Sequence, residues 1–176
     1  MRQQERFLVL GLREDVGQRC EPRRSGLPKG AIAGIECVVD VPFVDRVGVY
    51  GFDLDPTAAG LAYLERMEDE GVLGIEGDCR SGVPGDSSWD GPDGSEDNAW
   101  HVTFGRRVYS AARFGCFLND HGMANIRATC DGAYIGVLGT TSDIARLTTW
   151  ALQVPAGQDP TQGPGICFGA LGGGSP

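Results

Sequence analysis

Apolar residues near the start of the chain recur at helical spacing. The residues that share this face are Leu8, Val9, Leu12 and Val16. Because apolar positions three or four residues apart lie on one side of an α-helix, we predict a first helix over residues 4–17. Gly17 is suited to end it, since glycine readily adopts the conformation found just after many helices.

Two strands are predicted after a turn-rich stretch. Apolar and polar residues alternate over residues 31–39, which is typical of a strand with one buried face and places Cys37 on that face. Residues 46–53 continue the strand-like pattern. Because the connection between the two segments is short, we expect them to pair as antiparallel neighbours.

A second helix is predicted to begin at Asp55 and Pro56. An aspartate can cap the free amides of a helix start, and proline fits the first helical position. The apolar residues expected on its inward side are Leu61, Leu64 and Met67. Gly71 is suited to end this helix. Residues 76–98 are mostly polar and predict a loop.

Strand-like segments and one more helix complete the pattern. The segments lie over residues 100–104, 107–118, 124–130 and 133–138. Asp131 and Gly132, between the last two, favour a tight hairpin because they tolerate the positive φ that such turns need. We predict a last helix over residues 143–152, capped by Thr141 or Ser142. Its inward residues would be Ile144, Leu147 and Ala151.

The order of these elements, α-β-β-α-β-β-β-α, predicts the α+β class. An antiparallel sheet of about five strands with helices packed on one face would bury the apolar residues. A chain of 176 residues favours one domain, and we assign it to residues 1–154. Residues 155–176 are rich in Gly and Pro and predict a flexible tail.

The chain is acidic, with a formal net charge of −9. Because binding to nucleic acid needs basic residues that displace counterions from phosphates, nucleic acid is excluded as a partner. The apolar run over residues 7–10 is too short for a membrane span or for the core of a secretory signal. We therefore expect either a cytosolic chain or a part of a longer exported or membrane-anchored protein.

The chain contains six cysteines: Cys20, Cys37, Cys79, Cys116, Cys130 and Cys167. None belongs to a C-x-x-C pair, whereas structural zinc sites usually take paired ligands two to four residues apart. The even number of cysteines fits a set of disulfides, and buried free thiols are the alternative. Disulfides would indicate an oxidising compartment.

Two groups of residues in the polar loop and just after it are candidates for binding. Asp86, Asp90 and Asp93 are the candidate calcium ligands, although the loop lacks the ligand spacing of an EF-hand, which favours a solvated acidic loop. Trp89 and Trp100 are candidates for contacting a ligand, because exposed aromatic residues in loops are frequent at binding sites. Packing against the domain is the alternative for both tryptophans.

Catalysis is not predicted. Neither His101 nor His121 has a nucleophile and an orienting group nearby in the sequence, and a thiol mechanism would need both in contact with the histidine. The Gly-rich residues 169–174 lack the Lys and Ser or Thr of a phosphate loop. We therefore predict no cofactor, with a small hydrolase or thiol-redox protein using a histidine or a free cysteine as an alternative.

A spaced set of motifs covers residues 8–152. The motifs are Arg19-Cys20, Ala31–Cys37, residues 47–52, Asp55-Pro56, Gly77-Asp78-Cys79, Gly115-Cys116-Phe117 and residues 143–147 leading to Trp150. Together they resemble the extracellular C-terminal domains of actinobacterial serine/threonine protein kinases and related secreted or lipoprotein-anchored domains. The resemblance implies a non-enzymatic, sensor-like module outside the membrane. Such a module would bind a small ligand, a cell-wall fragment or a protein, and a purely structural or protein-interaction domain is the alternative.

The resemblance also implies how four of the cysteines pair. The implied disulfides are Cys20–Cys37, joining the first helix to the first strand, and Cys79–Cys116, joining the acidic loop to the sheet. Cys130 and Cys167 lie outside the pattern, and we hypothesise that they form a third disulfide that holds the tail to the domain.

Overall fold

The computed structural model describes residues 1–53, 56–88, 101–130 and 132–155. The α-helices within these residues are α1 Gln3–Leu10, α2 Glu14–Gly17, α3 Pro56–Asp69 and α4 Ile144–Ala151. The strands there are β1 Cys20–Pro22, β2 Ala31–Cys37, β3 Val44–Phe52, β4 Gly85–Ser88, β5 His101–Phe104, β6 Arg107–Ser110, β7 Arg113–Leu118, β8 Ala124–Cys130 and β9 Ala133–Gly139. A short 3₁₀-helix spans Cys79–Ser81.

Seven of the described strands form one antiparallel sheet in the order β1-β2-β3-β9-β8-β7-β4, and β5 pairs with β6 in a separate hairpin. This confirms the α+β class and the antiparallel sheet, but the sheet is larger than predicted. The short strands β1 and β4 extend its two edges from segments that the sequence pattern predicts as turn and loop. Residues 107–118 form two strands, β6 and β7, of which only β7 joins the large sheet.

The prediction that all helices pack on one face is wrong. In β3, Val47 and Val49 point to one side of the sheet, whereas Tyr50 and Phe52 point to the other. α1, α2 and α4 cover the Val47 side. α3 and the β5–β6 hairpin cover the Tyr50 side. A strand that is apolar on both faces needs a packed layer on each side.

The prediction of one continuous helix over residues 4–17 is also wrong. α1 and α2 are separated at residues 11–13, where the amide of Arg13 donates a hydrogen bond to the carbonyl of Val154 at 2.8 Å. This pairing with a distant segment replaces the helical hydrogen bonds. The predicted apolar face still reaches the core, in which Leu8, Leu12 and Val16 are buried.

The inward face of α3 and the cap of α4 differ from the prediction. Leu61 is 36% exposed, and the buried residues of α3 are Ala59, Ala62, Tyr63, Leu64 and Met67. Small alanines on the inward face let this helix lie close to the sheet. At the start of α4, the Asp143 carboxylate accepts a hydrogen bond from the Arg146 amide at 3.0 Å, so Asp143 is the cap in place of Thr141 or Ser142.

The tight hairpin between β8 and β9 is confirmed. Cys130 pairs with Ala133 across the turn, and Gly132 adopts a positive φ of 80°, which glycine tolerates without a steric penalty. The cap at Asp55 and the tail beyond residue 155 lie outside the described residues, so both stay predictions.

The two disulfides implied by the resemblance are present. Cys20 and Cys37 are register partners on β1 and β2, so this bond joins two strands and not a helix to a strand. Cys79 in the 3₁₀-helix is bonded to Cys116 in β7 and ties the loop before β4 to the sheet. The proposed partner of Cys130, Cys167, lies outside the described residues, and that pairing stays a hypothesis.

Candidate functional site

A groove of about 540 Å³ opens on the face of the sheet that α3 covers. Residues 23–29, between β1 and β2, form one wall, and α3 forms the opposite wall. The central strands β3 and β9 form the floor. We call this cavity the α3 groove.

Two glycines leave the centre of the floor of the α3 groove without side chains. Gly48 on β3 lies directly opposite Gly136 on β9 in the sheet register. A Cβ atom on Gly48 would lie 2.9 Å from the Tyr50 hydroxyl, and one on Gly136 would lie 2.5 Å from Nη1 of Arg127. The missing side chains therefore allow the hydroxyl and the guanidinium to lie flat against the sheet.

Arg127 is a half-buried cation on this floor. Its Nη1 donates to the carbonyl of Ile126 at 3.1 Å, and its Nη2 donates to Oδ1 of Asn125 at 3.1 Å. The guanidinium also lies over the Phe117 ring at 5.7 Å from the ring centre. All of these partners are neutral, and within the described residues no carboxylate forms an ion pair with Arg127.

The other arginines of the α3 groove each have a carboxylate partner. Arg23 pairs with Glu36 at 3.1 Å and also donates to the Tyr50 hydroxyl at 2.7 Å. Arg46 pairs with Asp45 at 2.7 Å and approaches Glu36 at 3.5 Å. Arg66 on α3 pairs with Glu70, just after the end of that helix, at 2.6 Å.

Tyr134 places a phenol hydroxyl beside these charges. Its ring stacks on Tyr50, with the ring centres 5.8 Å apart, and the residue is 5% exposed. Tyr134 lines the α3 groove, and its hydroxyl has no hydrogen-bond partner within the described part of the chain. Burial raises the pKa of Tyr134, against the opposing charges of Arg127 and Arg66. The hydroxyl therefore stays protonated at neutral pH and can donate a hydrogen bond.

The lining of the α3 groove contains more basic than acidic residues. Five described lining residues are basic and three are acidic: Arg23, Lys29, Arg46, Arg66 and Arg127, with Glu36, Glu65 and Asp69. The chain as a whole carries −9. Asp45 and Glu70, just outside the lining, neutralise Arg46 and Arg66, so the attraction for an anion at the floor comes from Arg127 and not from a net positive charge of the groove.

Asp86, predicted as a candidate calcium ligand, is buried in a separate network. Its Oδ1 accepts hydrogen bonds from the Tyr63 hydroxyl at 2.7 Å and from Nε of Arg113 at 2.9 Å. Its Oδ2 accepts from Nη2 of Arg113 at 2.5 Å and from the Gly74 amide at 3.2 Å. Burial and the Asp86 charge raise the pKa of Tyr63 well above its ordinary value. Because donors occupy both oxygens, Asp86 stabilises the fold and is not placed to bind a cation.

Of the remaining candidates for binding and catalysis, the structure describes the two histidines but not the tryptophans or the other two aspartates. Those outside the described residues are Trp89, Trp100, Asp90 and Asp93. His101 and His121 are exposed. In the described ranges, the cysteines whose side chains are placed are all disulfide-bonded, so neither histidine has a thiol beside it there. Within those ranges, no group of three or more His, Cys, Asp or Glu residues could hold a metal ion.

The sequence pattern alone did not single out the α3 groove. The available signal was the pair Gly48 and Gly136, because glycine inside a strand often marks the close approach of another group or of a ligand. Arg127 alternates with the buried residues Ile126 and Ala128, a pattern equally typical of a solvated polar face. Its lack of a carboxylate partner becomes visible only in the folded structure.

No protein-family model matches this sequence, and no curated protein or solved structure is significantly similar to it. The resemblance to the extracellular domains of kinases therefore stays a prediction. None of the helices in the described residues is long and apolar enough to cross a membrane.

Proposed function

We propose that this chain is a non-enzymatic, extracytoplasmic domain that binds a small ligand in the α3 groove. The observation that carries the proposal is the α3 groove itself, a concavity of about 540 Å³ in which the floor glycines leave space beside the stacked rings of Tyr50 and Tyr134. The Tyr134 hydroxyl has no hydrogen-bond partner among the described residues and can donate to a ligand in this groove.

The size of the α3 groove also supports a small ligand. Sites for small molecules commonly occupy about 300–1,000 Å³ and combine apolar walls with a few converging polar groups. The groove, at about 540 Å³, falls in this range, and Leu27 and Leu138 stand beside its charged residues. A sugar or a short peptide fragment of the cell wall is of suitable size.

The two disulfides support the extracytoplasmic location. Disulfides form and persist outside the reducing cytosol, and this chain uses them to fix β1 to β2 and the 3₁₀-helix to β7. A location at the cell surface or in the cell wall would bring the domain into contact with the kinds of ligand proposed.

The proposal is tested by titrating ¹⁵N-labelled protein with a soluble peptidoglycan digest and with a panel of sugars, amino acids and organic acids. We expect saturable shifts of the Gly48 and Gly136 amides, on the floor of the groove. Leu138→Trp should abolish them, because Leu138 lines the groove. The matched control Leu118→Trp changes an exposed leucine at the end of β7 and should leave them intact.

A purely structural or protein-interaction domain makes the opposite prediction. In that case no member of the panel shifts the floor amides, or the shifts are the same in Leu138→Trp and Leu118→Trp. Either result would reject the α3 groove as a small-molecule site.

A further inference from the structure

We infer that the ligand of the α3 groove carries a carboxylate or phosphate group that is bound by Arg127 together with the Tyr134 hydroxyl. This inference rests on the proposed function, because it gives the chemistry of a ligand for the same site. It is carried by a different observation, namely the absence of a counter-charge at Arg127 among the described residues.

The position of Arg127 is built into the sheet. Arg127 on β8 is the register partner of Gly136 on β9, and its guanidinium occupies the space that a side chain on Gly136 would fill. Two of its donors are used by the neutral oxygens of Ile126 and Asn125. A guanidinium has five N–H donors in a planar fork, so donors remain for the two oxygens of an incoming anion.

The neighbouring arginines are less suited to this role. Arg23 and Arg46 share Glu36, and Arg66 is paired with Glu70. An anion at any of these three would compete with a carboxylate that is already in place. At Arg127 it would meet no such competitor within the described residues.

Tyr134 provides a second donor on the same side of the floor. Tyr134 and Gly136 lie two residues apart on β9 and face the same side of the sheet, which separates their Cα atoms by roughly 7 Å. The guanidinium that covers Gly136 and the hydroxyl of Tyr134 can therefore converge on one oxyanion. Both groups are held by neighbours, the guanidinium by Phe117 and the phenol ring by Tyr50, so little ordering is needed on binding.

The acidic residues of the α3 groove do not cancel this attraction. Glu36 is already paired with Arg23 and Arg46. Glu65 and Asp69 are exposed on α3, where water and salt screen their charges. Arg127 is half-buried, and an interaction with it is weakened less by solvent. An anion at the floor therefore gains more from Arg127 than it loses to the carboxylates of the helix.

The test uses three sugars that differ in one group. N-acetylglucosamine is neutral, N-acetylmuramic acid adds a carboxylate, and N-acetylglucosamine 1-phosphate adds a phosphate. We expect both anionic sugars to bind roughly 10- to 150-fold more tightly than the neutral sugar, the effect of a hydrogen-bonded charge pair. The ratio between the two anions shows whether a carboxylate or a phosphate is preferred.

Variants assign the effect to Arg127. Arg127→Met should remove the preference for the anionic sugars, and Arg127→Lys, which keeps the charge, should retain part of it. Tyr134→Phe should weaken binding of the anions by roughly 5- to 10-fold, the loss of one hydrogen bond. Arg107→Met removes the same charge at an exposed position of β6 outside the groove and should leave affinity unchanged.

The outcomes separate this inference from the proposed function. Equal binding of all three sugars at the floor amides would overturn the anion site while supporting a ligand groove. No shift by either anion at tens of millimolar, or equal losses in Arg127→Met and Arg107→Met, would also overturn the anion site. The broader ligand panel then shows independently whether the α3 groove binds a small molecule. The thermal unfolding midpoint of each variant shows whether that variant is folded.

Discussion

The buried network around Asp86 predicts a large loss of stability when one partner is changed. Asp86 has no exposed side-chain surface, and the side chain of Arg113 is 8% exposed. Asp86→Asn keeps the shape of the side chain but removes its charge and turns an amide donor toward the donors of Arg113. Arg113 would then hold a buried charge without a counter-charge.

The size of the effect follows from this burial. Removing one partner of a buried ion pair costs about 3–5 kcal/mol, whereas an exposed pair contributes about 0–1 kcal/mol. We therefore expect Asp86→Asn to lower the free energy of unfolding by about 4 kcal/mol. Adding Arg113→Met removes the uncompensated charge, so the double variant should lose less than the two single losses combined.

Urea unfolding of the disulfide-bonded protein, followed by tryptophan fluorescence and circular dichroism, measures these differences. Asp15→Asn is the matched control, because Asp15 pairs with Arg13 on the surface with 64% of its side chain exposed. Its loss should stay below about 1 kcal/mol. A loss of similar size in Asp86→Asn and Asp15→Asn would refute the reasoning, since the Asp86 pair would then behave like a surface contact.

Three further predictions concern the fold. Asp143→Ala should lower the free energy of unfolding by about 1 kcal/mol through loss of the α4 cap, and Asp143→Ser, which restores an acceptor, should recover most of that loss. Cys79→Ser with Cys116→Ser should destabilise by about 4 kcal/mol, the loop-closure value for a separation of 37 residues; an unchanged urea midpoint would contradict this. Desolvation opposes ionisation of Glu5, but hydrogen bonds from Arg2 and the charge of Arg24 outweigh it and lower its pKa below the ordinary value of 4.5. The stability that Glu5 contributes is therefore present above that value and is lost as the pH falls through the lower, folded-state pKa. Glu5→Gln should flatten the pH dependence of the urea midpoint in this acid range. An unchanged slope would show that Glu5 is not responsible for that dependence.

Much of the sheet could be predicted from local patterns. Alternation over residues 31–39 and the Asp-Gly turn before β9 are short-range signals, and the structure pairs β2 with β3 and β8 with β9 accordingly. The layers could not be predicted in the same way. Gly48 and Gly51 interrupt the alternation of β3, and they obscure that Tyr50 and Phe52 form a second buried face.

The break in the first helix depends on a contact that is distant in the sequence. Arg13 bonds to Val154, and no pattern within residues 4–17 signals that partner. The burial of Asp86 could not be predicted either, because the acidic, polar loop that contains it is typical of a solvated segment. Its burial follows from Arg113 and Tyr63, which come from β7 and α3.

The candidate site was harder to predict than the fold for a related reason. An arginine inside a strand is typical of a solvated face. Arg127 becomes distinctive only because Arg23, Arg46 and Arg66 each pair with a carboxylate, whereas Arg127 has no such partner among the described residues. That distribution of partners is a property of the assembled groove.

The most direct test of the central claim observes the Nε–H resonance of Arg127 while N-acetylmuramic acid or N-acetylglucosamine 1-phosphate is added. We predict a saturable shift of this resonance that follows the same binding curve as the Gly136 amide, with no comparable shift in the exposed Arg107. An Arg127 resonance that stays in place while the protein binds either sugar elsewhere, or that moves no more than Arg107, would contradict the account.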